Sequence, residues 1–134
     1  MGQQRQDAPR GGSDAGTDSD VGVRRLALAE HVLATRRARQ RFLPTDLFAD
    51  PAWDMMLDLY VARARQVRVG VSSLCIASAV PQTTALRWIK ALTERGLIER
   101  QHDPVDRRRI YVALSEQAVA RMNGLFDTLP PIAG

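Results

Sequence analysis

Five side chains between positions 82 and 90 carry the densest polar chemistry in this sequence. Gln82, Thr83, Thr84, Arg87 and Lys90 supply an amide, two hydroxyls, a guanidinium and an ammonium. These groups suit base edges and phosphates, and a guanidinium can pair two donors with one guanine. Thr83, Thr84 and Arg87 are therefore candidates for base contact, with Gln82 at the mouth of the helix and Lys90 on phosphate. A second charged group follows at Arg107, Arg108 and Arg109. Three consecutive cations repel one another, so stability alone is a weak reason to place them together. The plain alternatives are an amphipathic core helix with a solvated polar side, and a solvated loop tip.

The elements that must position these residues follow from local signals. Leu74, Cys75, Ile76 and Ala79 predict a short apolar helix, with Ser72 or Ser73 available to cap it. Val80-Pro81 breaks that helix, because the residue before proline is pushed out of the helical region. Pro81 or Gln82 then opens a second helix, over 81–95. Ala85, Ile89 and Leu92 form its apolar stripe, flanked by Leu86 and Trp88. Gly96 ends it, since glycine accepts a left-handed C-terminal cap. Leu97 to Arg100 and Ile110 to Leu114 read as paired strands. Between them, Asp103-Pro104-Val105-Asp106 supplies turn formers in a loop over 101–109. Strand alternation predicts that Arg109 turns away from Arg108, giving two outward contacts rather than three. Helix, turn, helix and basic hairpin in this order make a winged helix-turn-helix, a mainly α fold with a small β-wing.

The rest of the chain divides around that unit. Residues 1–20 are rich in Gly, Ser, Asp and Gln and are expected to form a disordered tail. Residues 21–43 predict a basic helix, with Leu26, Leu28, Ala29, Val32 and Leu33 among six arginines. It is a candidate for dimerisation through Leu26, Ala29 and Leu33, for DNA-backbone contact, or for packing on its own domain. Residues 44–115 hold the winged helix. They include a helix from Asp50-Pro51 to about Arg65, and Val67-Arg68-Val69 as a short third strand beside the wing. Residues 116–134 hold one helix and a short tail stopped by Pro130-Pro131.

The segment from about Trp53 to Ser115 resembles the DNA-binding domain of MarR-type winged-helix transcriptional regulators. Leu92, Gly96, Leu97, Ile98, Glu99 and Arg100 resemble the end of that family's recognition helix. Asp106, Arg108, Leu114 and Ser115 resemble its wing motif. The resemblance implies that Arg108 reaches the minor groove and that Asp106 orients it. A homodimer is expected, built by the helix from about Val21 to Phe42 together with the helix from Ser115 to Leu129, although only about twenty residues follow Leu114, where the family usually has two long dimer helices.

Composition agrees with a double-stranded DNA partner. Of nineteen basic residues only Lys90 is lysine, and the chain's net charge is +4. Residues 1–20 hold two arginines against four aspartates, a balance of −2, so the remainder carries +6. A basic domain favours nucleic acid or an acidic surface. Cys75 is the sole cysteine, which rules out an internal disulfide framework. His31 and His102 have no ligand-spaced partners, and no phosphate-binding glycine loop or nucleophile elbow appears. Neither catalysis nor a cofactor nor a metal is expected. No apolar run approaches membrane-spanning length and no signal peptide is recognisable, so a cytoplasmic location is expected. A small-molecule effector is left open. Two function classes remain. A DNA-binding regulator needs the polar face of residues 82 to 90 and the arginine tip exposed on one side. A protein-interaction winged helix would instead cover that face or expose an apolar patch.

Overall fold

The computed structural model describes residues 11–132, with side chains from residue 18 onward. Six helices and one small sheet follow in the order α1 (Gly11–Phe42), α2 (Thr45–Phe48), α3 (Pro51–Ala64), β1 (Val69–Gly70), α4 (Val71–Ala77), α5 (Gln82–Glu94), β2 (Ile98–His102), β3 (Ile110–Leu114) and α6 (Glu116–Thr128). The fold is a winged helix, mainly α with a three-stranded antiparallel wing.

The sheet runs in the order β1-β3-β2, with Arg100 opposite Val112 and Val69 also opposite Val112. The short strand beside the wing is therefore Val69–Gly70, not Val67 to Val69. Ala85, Ile89 and Leu92 on α5 are buried, as their spacing predicts. Burying a side chain such as Ile89 contributes about 1.5–3 kcal/mol, which fixes the rotation of α5 and leaves the opposite face to solvent. Gly96 takes φ +74° at the end of α5, where a side chain would be strained.

Ser115 ties three elements together. Its amide donates to the Leu97 carbonyl (3.0 Å). Its hydroxyl donates to the Gly96 carbonyl (2.7 Å) and accepts from the Ala118 amide (3.1 Å). The end of α5, the base of the wing and the start of α6 thus share one residue.

Several expectations are corrected. Gly70, not Ser72 or Ser73, precedes α4, and no side chain caps that helix. The chain leaves β1 directly into α4, so both serines already lie inside its first turn. Ile76 is 82 % exposed rather than part of the apolar face. Helix α1 begins at Gly11, ten residues before Val21. The part of the expected tail from 11 to 20 is helical backbone, and positions 1–10 lie outside the described residues. Once a helix is nucleated by packing, each further residue adds a hydrogen bond, so N-terminal extension is inexpensive.

The proposed dimer seam is also corrected. Ala29 and Leu33 are buried within the chain's own core, together with Leu28. Helix α1 packs on α3 and α6 and helps complete the core. Its arginines serve that packing. Arg25 forms a two-point pair with Asp127 on α6 (2.9 and 2.7 Å). Arg37 meets Asp58 at 3.1 Å. Most telling is Asp54, 1 % exposed. It accepts from Arg36 Nε (2.7 Å) and Nη2 (3.2 Å) and from Gln40 Nε2 (3.4 Å).

A buried carboxylate left without its cation loses far more than an exposed pair contributes. Arg36→Met is expected to destabilise the protein by about 3–5 kcal/mol, read by urea unfolding, whereas Arg37→Met should cost under about 1 kcal/mol. Equal losses for the two variants would remove the Asp54 pair from its assigned role.

Candidate nucleic-acid interface

Helix α5 starts where the turn from α4 releases it. Ala79 takes φ +61° in that turn, unusual for a residue with a side chain. Pro81 precedes the first helical residue. Gln82, Thr83, Arg87 and Lys90 are exposed, and Thr84 is half-buried.

The wing hairpin is organised by two aspartates. Asp103 Oδ1 accepts from the amides of Val105 (2.8 Å) and Asp106 (3.3 Å). Tyr111 Oη donates to its other oxygen at 3.4 Å. Those amide hydrogen bonds hold the Asp103 carboxyl below the usual carboxylate range. Asp106 Oδ1 accepts from the Arg108 amide (3.1 Å) and from Arg108 Nε (3.2 Å). The backbone closes with Asp103 N to Arg109 O and Arg109 N to Asp106 O, both 3.0 Å. Arg109 Nη1 lies 3.5 Å from Tyr111 Oη, and that contact raises the guanidinium pKa further.

Between the wing and the helices lies an open cleft of about 620 Å³. Arg100, Arg108 and Arg109 line one side, with Ser72, Ser73 and Leu86 on the other. Arg108 and Arg109 thus face the same cleft, contrary to strict alternation, because both precede β3 and are set by the turn rather than by the pleat. Arg107 is exposed but does not line it. Ser72 also borders a second depression with Gln82, Ile76 and Val80, so the two cavities share one lining residue.

Arg100, Ser72, Ser73 and Leu86 belong to this surface and were not singled out as site residues by the sequence. By alternation Arg100 shares the face of buried Ile98, which assigns it to the core side of β2. It reaches the cleft because the hairpin runs on past the edge of the core. The two serines suit a helix cap as well as a contact. Arg68, just before β1, places its guanidinium 5.3 Å from the Tyr111 ring centroid, adding another cation beside the wing. Among the described residues, no group of three His, Cys, Asp or Glu side chains is placed to hold a metal ion. Burial pushes the Cys75 thiol pKa up.

Residues 55–118, just under half the chain, match the winged helix DNA-binding domain family. That segment is similar to a winged helix DNA-binding domain. No curated protein matches this sequence. Among solved structures, S. aureus MepR in DNA-binding conformation is 17% identical with a TM-score of 0.51, over 75% of this chain and 71% of that one; this likeness is one of fold. A probable transcriptional regulator from Pseudomonas aeruginosa is 28% identical, with a TM-score of 0.46, over 75% of this chain and 70% of that one. A single-residue mutant of Lactococcus lactis ZitR is 17% identical with a TM-score of 0.44 and matches 54% of this chain, which spans only 48% of that protein. The matched segment contains most of α3 and all of α4, α5 and the wing.

The aspartate turn yields a pH signature. A depressed carboxyl supports the folded turn above the ordinary carboxylate range and loses that support as pH falls through the depressed value. The Asp103 carboxyl is expected to titrate, by carbon NMR, below the same residue in the urea-unfolded chain. Protection of the Val105 amide should fall with the same midpoint. A folded midpoint at or above the unfolded one refutes the assignment.

Proposed function

We propose that this chain is a sequence-specific, double-stranded DNA-binding transcriptional regulator. The observation that carries the reading is the exposed polar face of α5 beside a cleft lined by Arg100, Arg108 and Arg109. Helix α5 enters the major groove. Thr83 and Arg87 contact bases, Gln82 stands at the helix mouth, Lys90 takes a phosphate, and half-buried Thr84 contributes least. The wing lies on the backbone or in the minor groove, with Asp106 holding Arg108 in place. The role is regulatory rather than catalytic, and a DNA partner places it in the cytoplasm.

The contrasting class, a protein-interaction winged helix, calls for a covered α5 face or an exposed apolar patch. The α5 polar face is open, which favours DNA. One apolar patch does exist, at Phe42 (82 % exposed), Leu47 (75 %), Leu43 and Phe48. It lies on α1 and α2, outside the cleft, and keeps a protein contact as a second reading that is compatible with the first.

Binding measurements separate the two roles within the interface. Arg87→Ala is expected to cost about 1–3 kcal/mol on a site selected from random DNA and much less on unrelated duplex. Alanine at all three of Arg107, Arg108 and Arg109 should weaken both duplexes alike. It should also lower the salt slope by roughly 0.9 per phosphate contact, or about 2 for two contacts. Equal losses for Arg87→Ala on both duplexes remove Arg87 from sequence reading; an unchanged slope means the wing points away from DNA.

We also propose a homodimer. Since Ala29 and Leu33 are spent inside the protomer, the seam falls on the outer sides of α1 and α6. There Val23 is 65 % exposed and Leu125 41 %. A two-fold pair would read half-sites about 34 Å apart. Light scattering of the full chain is expected to give twice the monomer mass, and Val23→Asp with Leu125→Asp a monomer that stays folded. A full-length monomer at about 10–100 micromolar, a concentration range corresponding to weak association, ends this part of the proposal.

A further inference from the structure

Leu86 is an apolar side chain set among cations. It is 39 % exposed on α5 and lines the cleft with Ser72, Ser73, Arg100, Arg108 and Arg109. It stands four residues after Gln82 and four before Lys90, so these three form one stripe along the helix. Its neighbours Ala85 and Ile89 are fully buried, which locks the rotation of the helix and aims the stripe outward.

A leucine can neither hydrogen-bond a base nor pair with a phosphate. Base edges in the major groove offer one apolar feature, the C5-methyl group of thymine. Gln82, one turn earlier on the same stripe, carries the amide that pairs with both N6 and N7 of adenine. Arg87 lies on the adjacent stripe with guanine-reading geometry. The stripe is thus chemically suited to A·T pairs and its neighbour to G·C.

We infer that Leu86 is a specificity-determining residue that reads a thymine methyl, next to an adenine held by Gln82. This rests on the reading of α5 as a major-groove helix and names the bases that the stripe selects. A purely structural Leu86, covering the cleft beside Ile110 and Tyr111, would influence stability but not the response to a methyl group.

The test uses the full chain and sites selected from random duplex. Each thymine in the selected site is replaced in turn by deoxyuridine, which removes only the methyl. At one thymine per half-site the wild-type protein is expected to bind about fourfold more weakly, the equivalent of one buried carbon of about 0.8 kcal/mol. Leu86→Ala should bind the thymine and deoxyuridine sites equally, while Leu86→Met, which keeps apolar reach, should retain the difference. Wild-type binding that is indifferent to every substitution overturns the inference, as does methyl sensitivity that survives in Leu86→Ala. Should Leu86→Ala fold poorly, Leu86→Gln, which keeps the length of the side chain without its apolar end, makes the same comparison and is likewise expected to bind the thymine and deoxyuridine sites equally. Selection that enriches no sequence at all overturns the proposed function along with it, whereas an enriched but methyl-indifferent site overturns the Leu86 role alone.

Discussion

The relative placement of helix α5 and the wing depends on the junction at Ser115. Gly96 turns the chain out of α5 with a left-handed residue, and Ser115 brings it back nineteen positions later against the same carbonyl. The Leu97 carbonyl takes the Ser115 amide, and the Ser115 hydroxyl caps α6. Because one residue serves a helix end, a sheet base and a helix start, through its amide and its hydroxyl, none of the three can shift alone. A cleft between helix and wing keeps its width only under such a constraint.

A second constraint holds the scaffold behind the cleft. Helix α3 touches α1, α4, α5 and β3, so any rotation of α3 is felt at α5. Asp54 in its first turn is buried and held by Arg36 and Gln40 of α1. Farther along, Tyr60 donates to Asn123 of α6 at 2.6 Å and packs its ring, tilted by 50°, against Phe126 with centroids 5.0 Å apart. Polar pins at both ends of α3, with apolar packing between, give it one position. The N-terminal helix is therefore part of the domain's frame, and any partner it recruits must use what is left of its surface.

Features with local causes were legible in the sequence. The span of α5, its buried stripe, the glycine that stops it, the second wing strand and the single C-terminal helix all follow from glycine and proline signals and periodicity, whereas the first wing strand runs two residues farther than expected, to His102. Features with distant causes were not. Arg36 and Asp54 lie eighteen positions apart and look like ordinary surface residues until α1 and α3 pack. Ala29 and Leu33 fitted a seam between chains as well as they fit a core, since periodicity shows that a face is apolar but not what covers it. Leu86 looked like the shoulder of an apolar stripe, and only the position of the wing reveals that it faces an open cleft. Ser72 and Ser73 suited a cap, but strand β1 runs so directly into α4 that both were drawn inside the helix.

The Asp103 turn has a kinetic consequence. A loop carrying three arginines would ordinarily sample many shapes, and docking it on a polyanion would freeze those shapes at an entropic cost. Here two carboxylates hold the loop backbone and one guanidinium in place before any partner arrives. Less freedom is lost at encounter, so a larger share of collisions meets a ready surface. On the proposed function, the acidic residues of the wing would oppose an anionic partner by charge and yet hasten its capture by shape.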